Sequence, residues 1–458
     1  MNKKLVLVIV LGAYFMIMMD TSITMTALNE MQQSLHMSSG TLTWVQSAYV
    51  LLFGGLLLLG AKLGDVLGLK HVFLCGLCLF LLFSITTGLA TNTMMLIISR
   101  VGQGIAAALV SPSILAFINL IYDDGPEKRK AVSFYSTIAG IGASGGLIVG
   151  GILTSLVSWR LCFLINIPMC IIFILLAIKL LPQTTTSSYP PRIDLFGALL
   201  SVVSILLIVL GMERLNMAFS LINFVLILIG LILLITFIAY EHKVKYPIIE
   251  LSLFKNKIRS SGYLLRFLFL STSFSYWYYM SIYFQDSFNL SPLNTVLLLI
   301  CTTGVNFIVA LNIHKLLKSQ TNISVLIKGI LISIVGMILL IFCLNHQVGI
   351  TMFILPLILI GVGQGFIFTP LTNLGVYQVT NEQSGIASGL VNLAHQIGSS
   401  AGIVFELIIA TTLLHILNFE NNNSSLTLIS MVIGTVIQII MLLYVLLVFK
   451  KKENKYEI

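Results

Sequence analysis

Apolar runs of about 20 residues, long enough to cross a hydrocarbon core as helices, recur from Leu5 to the lysine cluster at Lys450, separated by short polar stretches. Backbone groups cannot stay unpaired in hydrocarbon, so each run is read as a helix. The pattern predicts spans at roughly residues 5–28, 42–60, 72–90, 94–120, 131–156, 160–181, 194–212, 220–240, 260–285, 292–312, 326–345, 350–377, 385–412 and 427–449, fourteen in all. The first run follows Lys3 and Lys4 as a signal peptide would, but it continues past Asp20 without a small-residue cleavage site and reads as a retained span.

Composition sharpens the class. Apolar residues make up 58% of the 458 positions and charged residues 9%, against roughly 25% charged in soluble domains, which excludes a soluble enzyme. A formal charge of +9 would point to nucleic acid in a soluble chain. Here all but four of the 25 Lys and Arg residues fall in the terminal segments and in alternate loops, the exceptions being Arg100, Arg160, Arg214 and Arg266. By the positive-inside rule both termini are cytoplasmic, so the basicity records orientation and no nucleic-acid partner is expected. The six cysteines all sit in apolar runs. Cys75 and Cys78 form a C-x-x-C, but with no second ligand pair they read as small hydrophobes, and no metal site is expected.

An internal repeat divides the chain. Val-Gly-Gln-Gly occurs at Val101–Gly104 and, 261 residues later, at Val362–Gly365, each followed by a proline, Pro112 or Pro370. Ile-Gly-x-Ser-x-Gly then begins at Ile141, with Ser144, and again at Ile397, with Ser400. Spans 1–6 therefore correspond to spans 9–14, with spans 7 and 8 inserted. The expected fold is an all-α polytopic membrane protein with a six-helix bundle over 1–181, two inserted linker helices over 182–259 and a second six-helix bundle over 260–458. Two such halves suit a transporter that rocks around a central site.

Five motifs carry a family resemblance. The loop Ala61-Lys62-Leu63-Gly64-Asp65-Val66-Leu67-Gly68-Leu69-Lys70 resembles a cytoplasmic G-x-L-a-D-r-x-G-r-k loop, keeping Asp65, Gly68 and Lys70 while Val66 and Leu69 replace basic residues. Arg100-Val101-Gly102-Gln103-Gly104 resembles R-x-x-q-G. Gly142, Gly146, Gly150 and Gly151 match G-x-x-x-G-P-x-x-G-G, with Leu147 in place of proline. Met19-Asp20-Thr21-Ser22 resembles L-D-x-T, and Trp159-Arg160, Phe163, Asn166 and Pro168 match W-R-x-x-F-x-x-N-x-P. Together they resemble the major facilitator superfamily, specifically its 14-span drug/proton antiporters. That resemblance implies a conformational loop at Asp65, Gly68 and Lys70, an antiporter motif at the four glycines, and a role for Arg100 in proton coupling.

Ionisable residues within a span cost about 2.5–3.5 kcal/mol on insertion scales and are functional candidates for that reason. Asp20 lies roughly 12 Å and Arg100 roughly 9 Å from the same face at 1.5 Å per residue. Two readings stay open: a standing ion pair, or an Asp20 that titrates while Arg100 tunes it. Glu406, 256 residues beyond Gly150, is the second candidate for protons or for a cationic substrate, and His395 on the same helix is a candidate relay. Arg266 reads as a snorkelling residue near a span end. Glu213, Arg214 and Asp286 lie near outer span ends, where charge is inexpensive. Aromatic residues crowd span 9, and Tyr276, Tyr279 and Tyr283 are candidates for a substrate cavity, with Gln46 and Asn306 as hydrogen-bonding partners.

The expected function is proton-coupled efflux of hydrophobic, often cationic or zwitterionic drugs across a bacterial-type plasma membrane. The alternative is export of one specific metabolite or of metal-tetracycline. The expected partners are small-molecule drugs, protons and the lipid bilayer, and the chain is expected to act as a monomer without a cofactor, driven by the proton motive force. There is no G-x-x-x-x-G-K-[ST] for ATP, and no nucleophile, base and metal cluster of an enzyme.

Overall fold

The computed structural model describes residues 3–449 apart from residues 38, 124, 184–193, 218–219, 245–246, 248, 250, 291, 347, 381–382 and 417–422, and among them it is all-helical. The side chains of Ile141, Ser144, Leu147, Glu213 and Ser400 lie outside the described residues. The first half of the chain forms α1 (Lys3–Ser34), α2 (Ser39–Leu67), α3 (Leu69–Gly88), α4 (Thr93–Ile121), α5 (Pro126–Leu156), α6 (Leu161–Leu164), α7 (Asn166–Leu180), α8 (Leu195–Met217) and α9 (Leu221–Glu241). The second half forms α10 (Lys257–Phe288), α11 (Pro292–Leu316), α12 (Asn322–Asn345), α13 (Ile354–Gly375), α14 (Ser384–Ile416) and α15 (Asn423–Phe449).

Local chemistry sets several ends. Asn92 caps α4 by accepting from the Met95 amide, and Thr321 caps α12 through the Ser324 amide. Pro126 begins α5, where its missing N–H is not needed. Gly68, at φ 93°, makes the turn between α2 and α3 that an L side chain resists. The span expected at 160–181 is two helices meeting at Ile165, with Pro168 in the first turn of α7.

Eleven helical stretches among the described residues are long and apolar enough to cross a membrane, against the fourteen spans expected. The difference lies in α5, α8 and α10. Helix α5 opens on Glu127, Lys128 and Lys130 and continues through many small residues; α10 carries Arg259, Arg266 and many Ser, Thr and Tyr residues; the apolar part of α8 is only Phe196–Met212.

Burial is inverted relative to a soluble protein. Leu221 is 80% and Leu447 78% exposed, whereas Asp20, Arg100 and Gln103 are 0% exposed. Apolar surface of this extent needs lipid as its solvent.

The chain forms two compact units. The first comprises Met1–Ala131, Ile141–Lys257 and Val376–Leu393, the second Val132–Gly140, Ile258–Gly375 and Ala394–Ile458. In the first, α2 and α3 pack along α4, α7 lies along α1 and α3, and the inserted helices α8 and α9 pack on each other with α8 against α2. In the second, α13 packs along α11 and α12, and α15 along α12. One close approach recurs in each unit. A β-carbon at Gly146 of α5 would strike Ser22 Oγ and the Met19 carbonyl of α1, and one at Gly402 of α14 would strike the Ser271 carbonyl of α10. These are the helices that carry the duplicated Ile-Gly-x-Ser-x-Gly stretch, whose small residues let backbones approach.

Candidate functional site

The first unit buries an ion pair inside a polar cluster drawn from five helices. Arg100 Nη1 of α4 donates to Asp20 Oδ2 of α1 at 2.8 Å, with both side chains fully buried. Asn166 Nδ2 of α7 donates to Asp20 Oδ1 at 2.7 Å, and Gln103 Nε2 reaches the same oxygen at 3.4 Å. Gln103 sits one turn after Arg100, and its Oε1 accepts from Arg100 Nη1 at 2.9 Å while its Nε2 donates to Ser84 Oγ of α3. Arg100 Nε donates to the Val45 carbonyl of α2 at 3.1 Å. The guanidinium lies over the Tyr49 ring at 4.3 Å and 5.6 Å from that of Phe163, so π faces cover it where acceptors do not. A desolvated pair persists only when surrounding hydrogen bonds compensate it, and here both carboxylate oxygens and Arg100 Nε and Nη1 are bonded, while Nη2 makes no hydrogen bond among the described residues.

Gln46 lies next to this cluster. Its Nε2 donates to the Thr21 carbonyl at 3.3 Å, and it does not touch the ion pair directly. Sequence reasoning had left Asn166, Gln103 and Tyr49 without roles. The first two stand inside W-R-x-x-F-x-x-N-x-P and R-x-x-q-G, so the motifs held the signal; Tyr49 had none.

The loop residues lie at helix ends. Lys70 Nζ donates to the carbonyls of Ile178 and Leu181 at 2.8 and 2.9 Å, placing a cation on the C-terminus of α7. The Asp65 carboxylate packs against Gly385 at the N-terminus of α14, where a β-carbon would not fit and where an anion is favoured. Of the four motif glycines, Gly142, Gly146 and Gly150 abut α1, while Gly151 has no heavy atom within 4 Å of where a β-carbon would stand.

In the second unit Arg266 does not snorkel. It is 1% exposed, with Nη1 donating to Thr372 Oγ1 of α13 at 2.7 Å, Nη2 placed 3.3 Å from His395 Nδ1 of α14, and its guanidinium 5.3 Å from the Phe368 ring. Internal partners, Thr372 and His395, take the place of water around its head group. His395 is thus grouped with Arg266. Glu406, eleven residues further along α14, is apart from both by roughly 16 Å of helix rise. It is 1% exposed among Thr272, Ser275 and Tyr279 of α10, Met337 of α12 and Gly434 of α15.

Tyr276, Tyr279 and Tyr283 are at most 3% exposed and pack in an apolar core with Phe284, Leu340 and Phe353. Tyr276 OH pairs with Thr302 Oγ1 at 2.8 Å. The exposed rings of α10 are Phe274 and Tyr278. Asn306 is half-buried on α11, where its carbonyl meets Gly365 of α13.

Apolar helices around buried charges define a polytopic membrane transporter. A family model of the Major Facilitator Superfamily matches residues 10–403, and the chain belongs to that superfamily. It is 30% identical over 409 residues to the puromycin resistance protein pur8 of Streptomyces alboniger, covering 88% of this chain and 81% of the relative. It is 29% identical over 412 residues to the cephamycin export protein CmcT of Amycolatopsis lactamdurans, covering 88% and 84%. Its fold is similar to the crystal structure of the human organic anion transporter MFSD10, with a TM-score of 0.71 at 11% identity over 97% of this chain and 100% of that one.

Proposed function

We propose that this protein is a proton-driven exporter of hydrophobic, cationic or zwitterionic drugs, working as a monomer in a bacterial plasma membrane. Fourteen helices cross the bilayer, counting α6 with α7 as one, and both termini are cytoplasmic. The observation that carries the reading is the set of ionisable side chains Asp20, Arg100 and Glu406, all but wholly buried in a superfamily chain whose relatives bear the names of antibiotic resistance and export proteins. A membrane protein retains charge at such depth for a task, and moving protons against a drug is the task that fits. Protons enter from outside, load the buried ionisable groups, and leave inside as the two six-helix halves rock. Asp65 and Lys70, on helix ends, latch one conformation.

The test is transport of a fluorescent cationic drug in proteoliposomes under an imposed pH gradient. Accumulation that rises with the gradient and collapses on adding a protonophore supports the reading. Transport indifferent to the gradient removes proton coupling, and no transport of any drug tested removes drug export.

A further inference from the structure

Two buried carboxyls are candidates for proton exchange, and their surroundings differ in kind. Asp20 has both oxygens occupied: Oδ2 by Arg100, Oδ1 by Asn166 and Gln103. Glu406, equally buried, has neither oxygen in a hydrogen bond among the described residues. Around it Ser275 Oγ, Tyr279 OH and Ser430 Oγ are likewise buried without a hydrogen-bond partner among the described residues. The groups facing Glu406 are Tyr279 and Ser275 from α10, Met337 from α12 and Gly434 from α15. On its own helix the nearest titratable neighbours are His395 and His415, about three turns below and two and a half above. None brings a positive charge to the carboxyl.

We propose that Glu406, and not Asp20, carries the exchangeable proton, and that Asp20–Arg100 is a standing ion pair; this rests on the proton-coupled reading above. An ionised Glu406 would have no cation and at most the Ser275 hydroxyl to compensate it, whereas the acid form is neutral and carries an O–H for the hydroxyls around it. A β-carbon at Gly434 would stand 3.7 Å from Glu406 Oε1, 3.8 Å from Thr272 Cβ and a tight 3.3 Å from the tip of Met337, so α15 meets the carboxyl with a residue that offers it no polar side chain. On release the Glu406 O–H bond breaks, the proton passes to a water admitted when the halves rock, and the carboxylate remains.

Infrared difference spectroscopy of the purified protein tests this through the carbonyl band of a protonated carboxylic acid. Glu406→Gln is expected to abolish the band at neutral pH and Asp20→Asn to leave it. Persistence of the band in Glu406→Gln, or its loss in Asp20→Asn, overturns the proposal. Circular dichroism and gel filtration identify any variant that has failed to fold; for such a variant Glu406→Asp, expected to move the band rather than remove it, decides, and an unmoved band overturns the proposal. Wild-type transport indifferent to a pH gradient would instead defeat the functional reading.

Discussion

Asn166 of α7 holds the Asp20 carboxylate of α1 at 2.7 Å, from the side opposite the Arg100 guanidinium of α4. The amide thus completes a carboxylate whose partner lies 80 residues away in sequence. Replacing Asn166 by Ala leaves Oδ1 with only the longer contact from Gln103. A hydrogen bond to a charged group contributes about 1.5–3 kcal/mol, and Asn166→Ala should destabilise the protein by that amount. Thermal unfolding in detergent measures it; an unchanged midpoint would show that the amide contributes nothing.

Removing one member of the pair should cost more than removing both. Arg100→Ala or Asp20→Ala alone strands a buried charge, at about 3–5 kcal/mol. The double variant strands neither, so a double-mutant cycle should show a coupling energy at least as large as one single loss, about 3 kcal/mol or more. Additive losses would mean that the two side chains do not interact energetically.

The motif glycines should separate by what they face. At Gly146 a methyl group meets the backbone of α1, and Gly146→Ala should cost about 1–3 kcal/mol through forced separation of the helices. Gly151 faces open space, and alanine is the better helix former, so Gly151→Ala should be neutral or stabilising by up to about 1 kcal/mol. Equal effects at the two positions, in the same unfolding assay, would sink the distinction.

These residues also show what was legible beforehand. Lipid-length apolar runs announced the helices, and polar residues inside them announced Asp20, Arg100 and Glu406, because hydrocarbon penalises polarity wherever it occurs. Arg266 was misread because hydropathy does not show that Thr372 of α13 and His395 of α14 stand within reach of its guanidinium. The direction of a side chain around its helix is not encoded in hydropathy when polar and apolar residues are spread over every face, as they are in α10. Tyr276, Tyr279 and Tyr283 were therefore visible as an aromatic cluster but not as core. Nor could a linear motif reveal that Asn166 meets Asp20, since that contact depends on how α7 and α1 pack.

Lys70 should stabilise the protein by a modest, salt-sensitive amount. Its ammonium group spans the last carbonyls around α7, and cations at helix C-termini contribute about 0.3–1 kcal/mol when exposed. Lys70→Ala should lose that and Lys70→Glu more, by placing like charge on the carbonyls; the difference between the two variants should shrink as salt is added. A salt-independent difference would remove the electrostatic account.

Tyr276 decides between core and cavity. Its hydroxyl pairs with Thr302 Oγ1, which in turn donates to the Leu357 carbonyl at 3.1 Å, so the tyrosine ties α10 to α11 and, through Thr302, to α13. Tyr276→Phe keeps the ring and its packing but removes one buried hydrogen bond, an expected loss of about 0.5–1.5 kcal/mol. If the ring is core, the drug profile and the KM for each exported compound stay as in the wild type while the unfolding midpoint falls. If the ring lines a drug cavity, KM shifts compound by compound, by more for those that offer the hydroxyl a hydrogen-bond partner. Measuring both quantities on one preparation separates the two, because a lower midpoint with an unaltered KM series cannot arise from a residue that touches the drugs.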